Sequence, residues 1–106
     1  LTRMAIRAIR KIGAEPRLKG VHMSVGLSNI SIMVPAKALD GSPLKLQLES
    51  AFLTNTVPFG LDTIIGTAGR EYRMLPPDNY VLAGFNEALE LDEVESIMRI
   101  QELYKE

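Results

Sequence analysis

The hexamer Gly26-Leu27-Ser28-Asn29-Ile30-Ser31 gathers a glycine and three small polar side chains directly after an apolar run, Val21-His22-Met23-Ser24-Val25. That run alternates like a strand, so the hexamer falls where a strand stops and the backbone turns. In parallel α/β folds the carboxyl ends of strands are where ligands bind. Asn29 carries a carbonyl acceptor and an amide donor on one short side chain. Such a pair suits a ring edge that presents a donor and an acceptor together.

Three further groups invite chemistry. Thr67-Ala68-Gly69-Arg70, with Arg73 close behind, is a glycine turn with arginines after a second apolar run. Backbone N–H groups and guanidinium forks of that kind hold anions. Arg3, Arg7 and Arg10 recur three and four apart and read as the solvated face of a helix, with an anion patch as the alternative. His22 is read as a hydrogen-bonded interior histidine rather than a general base, because it lies near the start of its strand. Asp62 stands at the entrance of the second strand and is read as structural, bonded to backbone or to an arginine.

Composition bounds the possibilities. The chain has 106 residues, 46% apolar and 24% charged, which is globular composition for at most one domain. A net charge of -1 gives no electrostatic case for nucleic acid. With no cysteine and one histidine there is no disulfide framework, thiolate site or multi-histidine metal site. No apolar run approaches the roughly twenty residues that cross a bilayer, and no signal-peptide pattern opens the chain. A cytoplasmic origin is expected. The chain starts without Met and within a helical pattern, so we expect a piece of something larger.

The elements that position these groups follow from periodicity. Met4, Ala5, Ala8, Ile9 and Ile12 give an amphipathic helix over Leu1 to Ile12 with Gly13 as its C-cap. Ala14 to Lys19 is a polar connector. Val21 to Leu27 is the first strand, with neither face charged, so both faces are expected to be covered. Asp40-Gly41-Ser42-Pro43 makes a turn in which Ser42 caps and Pro43 takes the first helical position. The helix runs to about Val57, burying Leu44, Leu46, Leu48, Ala51 and Phe52, and Pro58 and Gly60 end it. Leu61 to Gly66 is the second strand. Pro76-Pro77-Asp78 opens a helix to about Leu89, with Val81, Leu82, Phe85 and Leu89 buried. Asp92 and Glu95 form a capping box for a last helix that points Val94, Ile97, Met98 and Leu103 inward.

Strand, helix, strand in this order is a parallel pair with a crossover. Two such strands cannot close a sheet, and their outer edges would expose unpaired N–H and C=O groups. We therefore expect the native unit to need more than these 106 residues: the rest of a barrel, or other chains, and we expect a homo-oligomer.

The hexamer Gly26 to Ser31, the helix stretch Glu49-Ser50-Ala51-Phe52-Leu53, and Gly60-Leu61-Asp62-Thr63-Ile64-Ile65 together resemble the end of a pterin-binding barrel. This is the module of methyltetrahydrofolate:corrinoid methyltransferases and of the folate domain of cobalamin-dependent methionine synthase, with dihydropteroate synthase a more distant relative. The resemblance covers Val21 to Ile65 and extends loosely to the flanking helices. It implies the C-terminal portion of a TIM (β/α)8 barrel of roughly 250 residues, the two strands being the seventh and eighth. It implies transfer of the N5 methyl of methyltetrahydrofolate to a corrinoid (cobalamin) carried by a partner protein. On the same resemblance Asn29 reaches N5, Ser28 and Ser31 fix its amide orientation, and Gly26 lets the backbone pass close to the ring. Two departures stand out. Many corrinoid methyltransferases continue Asp-Pro after the last strand, where this chain has Gly66-Thr67-Ala68-Gly69-Arg70, read together with Arg73 as an acceptor or anion contact. The synthase branch has a lysine–arginine signature where this chain reads Ser28-Asn29-Ile30-Ser31. The alternatives are a synthase-like pterin transferase using Gly69, Arg70 and Arg73 for a diphosphate, and a non-catalytic piece that docks other chains.

Overall fold

A computed structural model describes residues 2–27 and 34–104. Within them the chain forms a small α/β domain with four α-helices and a two-stranded parallel sheet. Strands β1 (Met23–Gly26) and β2 (Leu61–Ile65) are joined through α2 (Leu44–Thr56); α1 (Thr2–Ala14) precedes them, and α3 (Tyr80–Leu89) and α4 (Glu93–Gln101) follow. The parallel pair with its helical crossover is the arrangement the periodicity predicts. No helix among the described residues is long and apolar enough to cross a membrane.

The core is where the helices meet one face of the strand pair: Ile6, Ile9, Met23, Leu27, Leu44, Leu48, Phe52, Leu61, Val81, Phe85 and Leu103 are buried together. α2 is the central helix. It buries Leu44, Leu48, Ala51, Phe52 and Leu53, and with them Glu49, Ser50 and Thr56. Burial around most of its circumference explains why it lacks a clean apolar stripe. Thr56 Oγ1 donates to the Phe52 carbonyl at 2.8 Å, which satisfies one of the polar groups this burial takes from water.

Several expectations shift. The strands are not covered on both faces by the described residues: Ser24 and Thr63 are exposed, and Ile65 is 71% exposed. No third strand among the described residues pairs with either edge. In α1 the buried line is Ile6 and Ile9 flanked by Ala5 and Ile12, whereas Met4 and Ala8 face outward. Gly13 lies inside α1 rather than capping it. A Cβ there would stand 1.9 Å from the Phe59 carbonyl oxygen, so glycine is required by close approach of the one-turn 3-10 helix Val57–Phe59. Pro43, not Ser42, occupies the N-cap of α2, and Ser42 instead donates from its hydroxyl to Asp40 Oδ1 at 2.5 Å. α3 starts later than Pro76-Pro77-Asp78 predicts because Asn79 caps it, accepting from the Leu82 N–H at 3.0 Å. Asp92 does cap α4, accepting from the Glu95 N–H at 2.8 Å. Val94, Ile97 and Met98 point outward instead of inward, and of the four expected core residues only Leu103 is buried. Leu103 lies beyond the helix, where its carbonyl accepts from Leu39 N–H and Tyr80 OH.

Candidate functional site

Two polar assemblies flank the strand pair, one at each end. At the carboxyl end, the strap that leaves β2 is hydrogen-bonded to α2. Glu49 is fully buried, with 0% of its side chain exposed, and its Oε2 receives Arg70 Nη1 at 2.5 Å. Its Oε1 accepts from the Tyr72 hydroxyl at 3.0 Å, and that hydroxyl in turn accepts from the Thr67 N–H at 3.0 Å. Two further side chains of α2 continue the ladder: Ser50 Oγ accepts from the Arg73 N–H at 3.4 Å, and Thr54 Oγ1 accepts from the Leu75 N–H at 2.9 Å. The strap has no regular structure of its own, so these side chains stand in for ladder partners its backbone lacks. Burying a carboxylate is costly unless it is paired and bonded, and the Arg70 fork and Tyr72 hydroxyl supply that compensation.

At the amino end, His22 Nδ1 stands 2.6 Å from Asp62 Oδ2, and Asp62 Oδ1 accepts from the Met23 N–H at 3.0 Å. The register explains the contact. Met23 pairs with Leu61 and Ser24 with Thr63, so Asp62 is the extra residue of an irregularity between them. Its carboxylate supplies an acceptor to Met23. The hydrogen bond to Asp62, and then its charge, raise the His22 imidazole above its ordinary value of 6.5. The bond to His22 holds Asp62 below the usual carboxylate range. His22 is exposed, which corrects the expectation of an interior histidine; Asp62 does bond to backbone, as read from the sequence. An open cleft of about 370 Å³ lies at this end, between the end of α1 and Val21, Met23 and Phe59.

The predicted site residues divide. Gly26 ends β1 directly opposite Ile65, the last residue of β2. Ser28, Asn29 and Ser31 lie outside the described residues. Gly69 sits in an exposed turn with φ +86°, closed by the Arg70 N–H on the Thr67 carbonyl, where glycine is the residue that avoids strain. Arg70 is engaged by Glu49, and Arg73 pairs with Glu71 at 3.1 Å on the surface. Arg70 and Arg73, the candidate anion-binding arginines after β2, therefore each already have a carboxylate partner. Glu49 is the residue sequence reasoning passed over. The available signal was Glu49-Ser50 inside a helix that Leu48, Ala51 and Phe52 mark as core. Among the described residues no group of three or more His, Asp or Glu side chains is placed to hold a metal ion.

The class defined by this geometry is a small α/β unit: a parallel β–α–β pair backed by helices, with its post-strand strap fastened to the crossover helix. Comparison of the chain with protein-family models, with characterised proteins and with solved structures finds no match.

Proposed function

We propose that this chain is the C-terminal portion of a pterin-binding (β/α)8 barrel whose assembled domain moves the N5 methyl of methyltetrahydrofolate to a corrinoid carried by a partner protein. The observation that carries the reading is the start of the Gly-Leu-Ser-Asn-Ile-Ser hexamer at Gly26, the carboxyl end of β1, level with the end of the parallel neighbour β2. Ligands of parallel α/β folds bind on that side. That no third strand among the described residues pairs with either edge, and that Ile65 is exposed, further support a unit that other strands complete.

In this reading Asn29 supplies the chemistry that belongs to this chain. The amine that loses a methyl group leaves poorly unless N5 gains positive character. Only an interaction that strengthens as the methyl departs accelerates the step. A carboxamide can turn and serve either protonation state of N5, as acceptor or as donor. The corrinoid partner supplies the metal that accepts the methyl group. The Glu49-anchored strap then forms the rim beside the pocket and faces the acceptor or the folate tail.

A synthase-type pterin transferase is the second reading. It needs Gly69, Arg70 and Arg73 for a diphosphate, and the carboxylate partners of both arginines favour the first reading. Isothermal titration of the protein, with whatever chains co-purify, separates the readings. Heat with methyltetrahydrofolate supports methyl transfer. Heat with a pterin diphosphate alone supports the synthase, and heat with neither supports a docking role.

A further inference from the structure

Away from both ends of the strand pair, a cleft of about 150 Å³ opens between α1, the end of α2 and α3. Arg3, Arg7 and Arg10 enter it from α1, Asn55 from α2 and Asn86 from α3. The sequence reads these arginines as a solvated face, but Arg3 is half-buried and its Nε is wholly removed from solvent with no hydrogen-bond partner. None of the three guanidiniums forms an ion pair among the described residues. Glu90, the single acidic residue lining the cleft, is exposed and leaves the lining with a net positive charge.

The cleft is also held in shape. Asn55 Nδ2 donates to the Ala51 carbonyl at 3.0 Å and to Asn86 Oδ1 at 2.9 Å, which ties α2 to α3. Arg10 Nη2 donates to Asn55 Oδ1 at 3.5 Å, and the Arg10 guanidinium lies 4.9 Å from the centre of the Phe59 ring. Arg10 is thus fixed on two sides. Like charges three and four apart on a helix repel one another. A buried donor without an acceptor is costly as well. A bound anion relieves both at once, and a guanidinium fork matches a tetrahedral oxyanion through paired N–H contacts.

We infer that this cleft is a binding site for a phosphate group, held by Arg3, Arg7 and Arg10. It stands independently of the methyl-transfer reading, because none of its residues lies at the carboxyl ends of the strands. The probe is inorganic phosphate, titrated calorimetrically into the protein at constant ionic strength, with acetate titrated in parallel. Saturable phosphate binding is expected, weakened about tenfold or more by Arg7→Ala and also weakened by Arg3→Lys, which keeps the charge and loses the fork. Arg17→Ala, at an exposed arginine paired with Glu15 outside the cleft, should change nothing. Arg7 is exposed and alanine favours helix, so that variant should keep the helical circular-dichroism signal. Non-saturating heats, equal losses in Arg17→Ala, or acetate binding as tightly as phosphate would each overturn the assignment.

Discussion

The two ends of the strand pair use the same kind of side chain for opposite purposes. Glu49 and Asp62 are both carboxylates set in apolar sequence. Glu49 is enclosed, bonded to Arg70 and Tyr72, and fastens a strap of irregular backbone to the central helix. Asp62 is open to water, bonded to an exposed histidine, and accepts from one N–H beside a register irregularity. The contrast teaches that burial, not residue type, decides how much such a group matters. An enclosed carboxylate is stranded when its partner goes, whereas water replaces the partner of an exposed one at little cost.

The largest effect should follow from removing the enclosed carboxylate. Glu49→Ala is expected to lower unfolding stability by about 3 kcal/mol, the low end for a broken buried pair because Arg70 is 29% exposed and can turn to water. Denaturant unfolding measures it, and a loss near zero would show that the strap does not depend on this pair. At the amino end the tightest constraint is steric. Gly13→Ala sets a methyl group against the Phe59 carbonyl and should cost about 1–3 kcal/mol as α1 and the Val57–Phe59 turn move apart. An unchanged midpoint would mean that the two segments separate freely.

The smallest effect is electrostatic and depends on pH. His22 gains its partner when protonated, so its contribution is complete below its ordinary value of 6.5 and fades as pH rises through the raised value. Asp62 gains its partner when ionised, so its contribution is complete above 3.8 and fades as pH falls through the lowered value. The pair therefore contributes fully between those limits. An NMR titration of the His22 ring should show a midpoint above 6.5 that returns toward 6.5 in Asp62→Asn. A midpoint that ignores the substitution would separate the two residues.

Much of the frame is legible in the sequence. Alternation over Val21 to Leu27 and the apolar run from Leu61 give the strands, the Asp92 pattern gives a cap, and the turn residues around Gly41 and Gly60 bracket α2. What escapes is what depends on distant partners. Glu49 looks like an outward helix position until Arg70 and Tyr72 fold over it. Val94, Ile97 and Met98 have helical spacing, yet the residues of that segment that reach the core are Ile100, Leu103 and Tyr104. His22 is flanked by apolar residues, and only the irregularity at Asp62 brings the two side chains together. Gly13 follows an apolar helix pattern, as a cap does, and its true reason is a carbonyl far along the chain. Periodicity reports which face is apolar but not which neighbour covers it.

Methyl transfer tests the proposed role of the carboxamide at position 29 most directly. With methyltetrahydrofolate and a corrinoid protein as substrates, Asn29→Ala in the assembled enzyme should slow transfer at least about tenfold, as removal of an aimed hydrogen-bonding group does. Turnover equal to that of the unsubstituted enzyme would contradict the account.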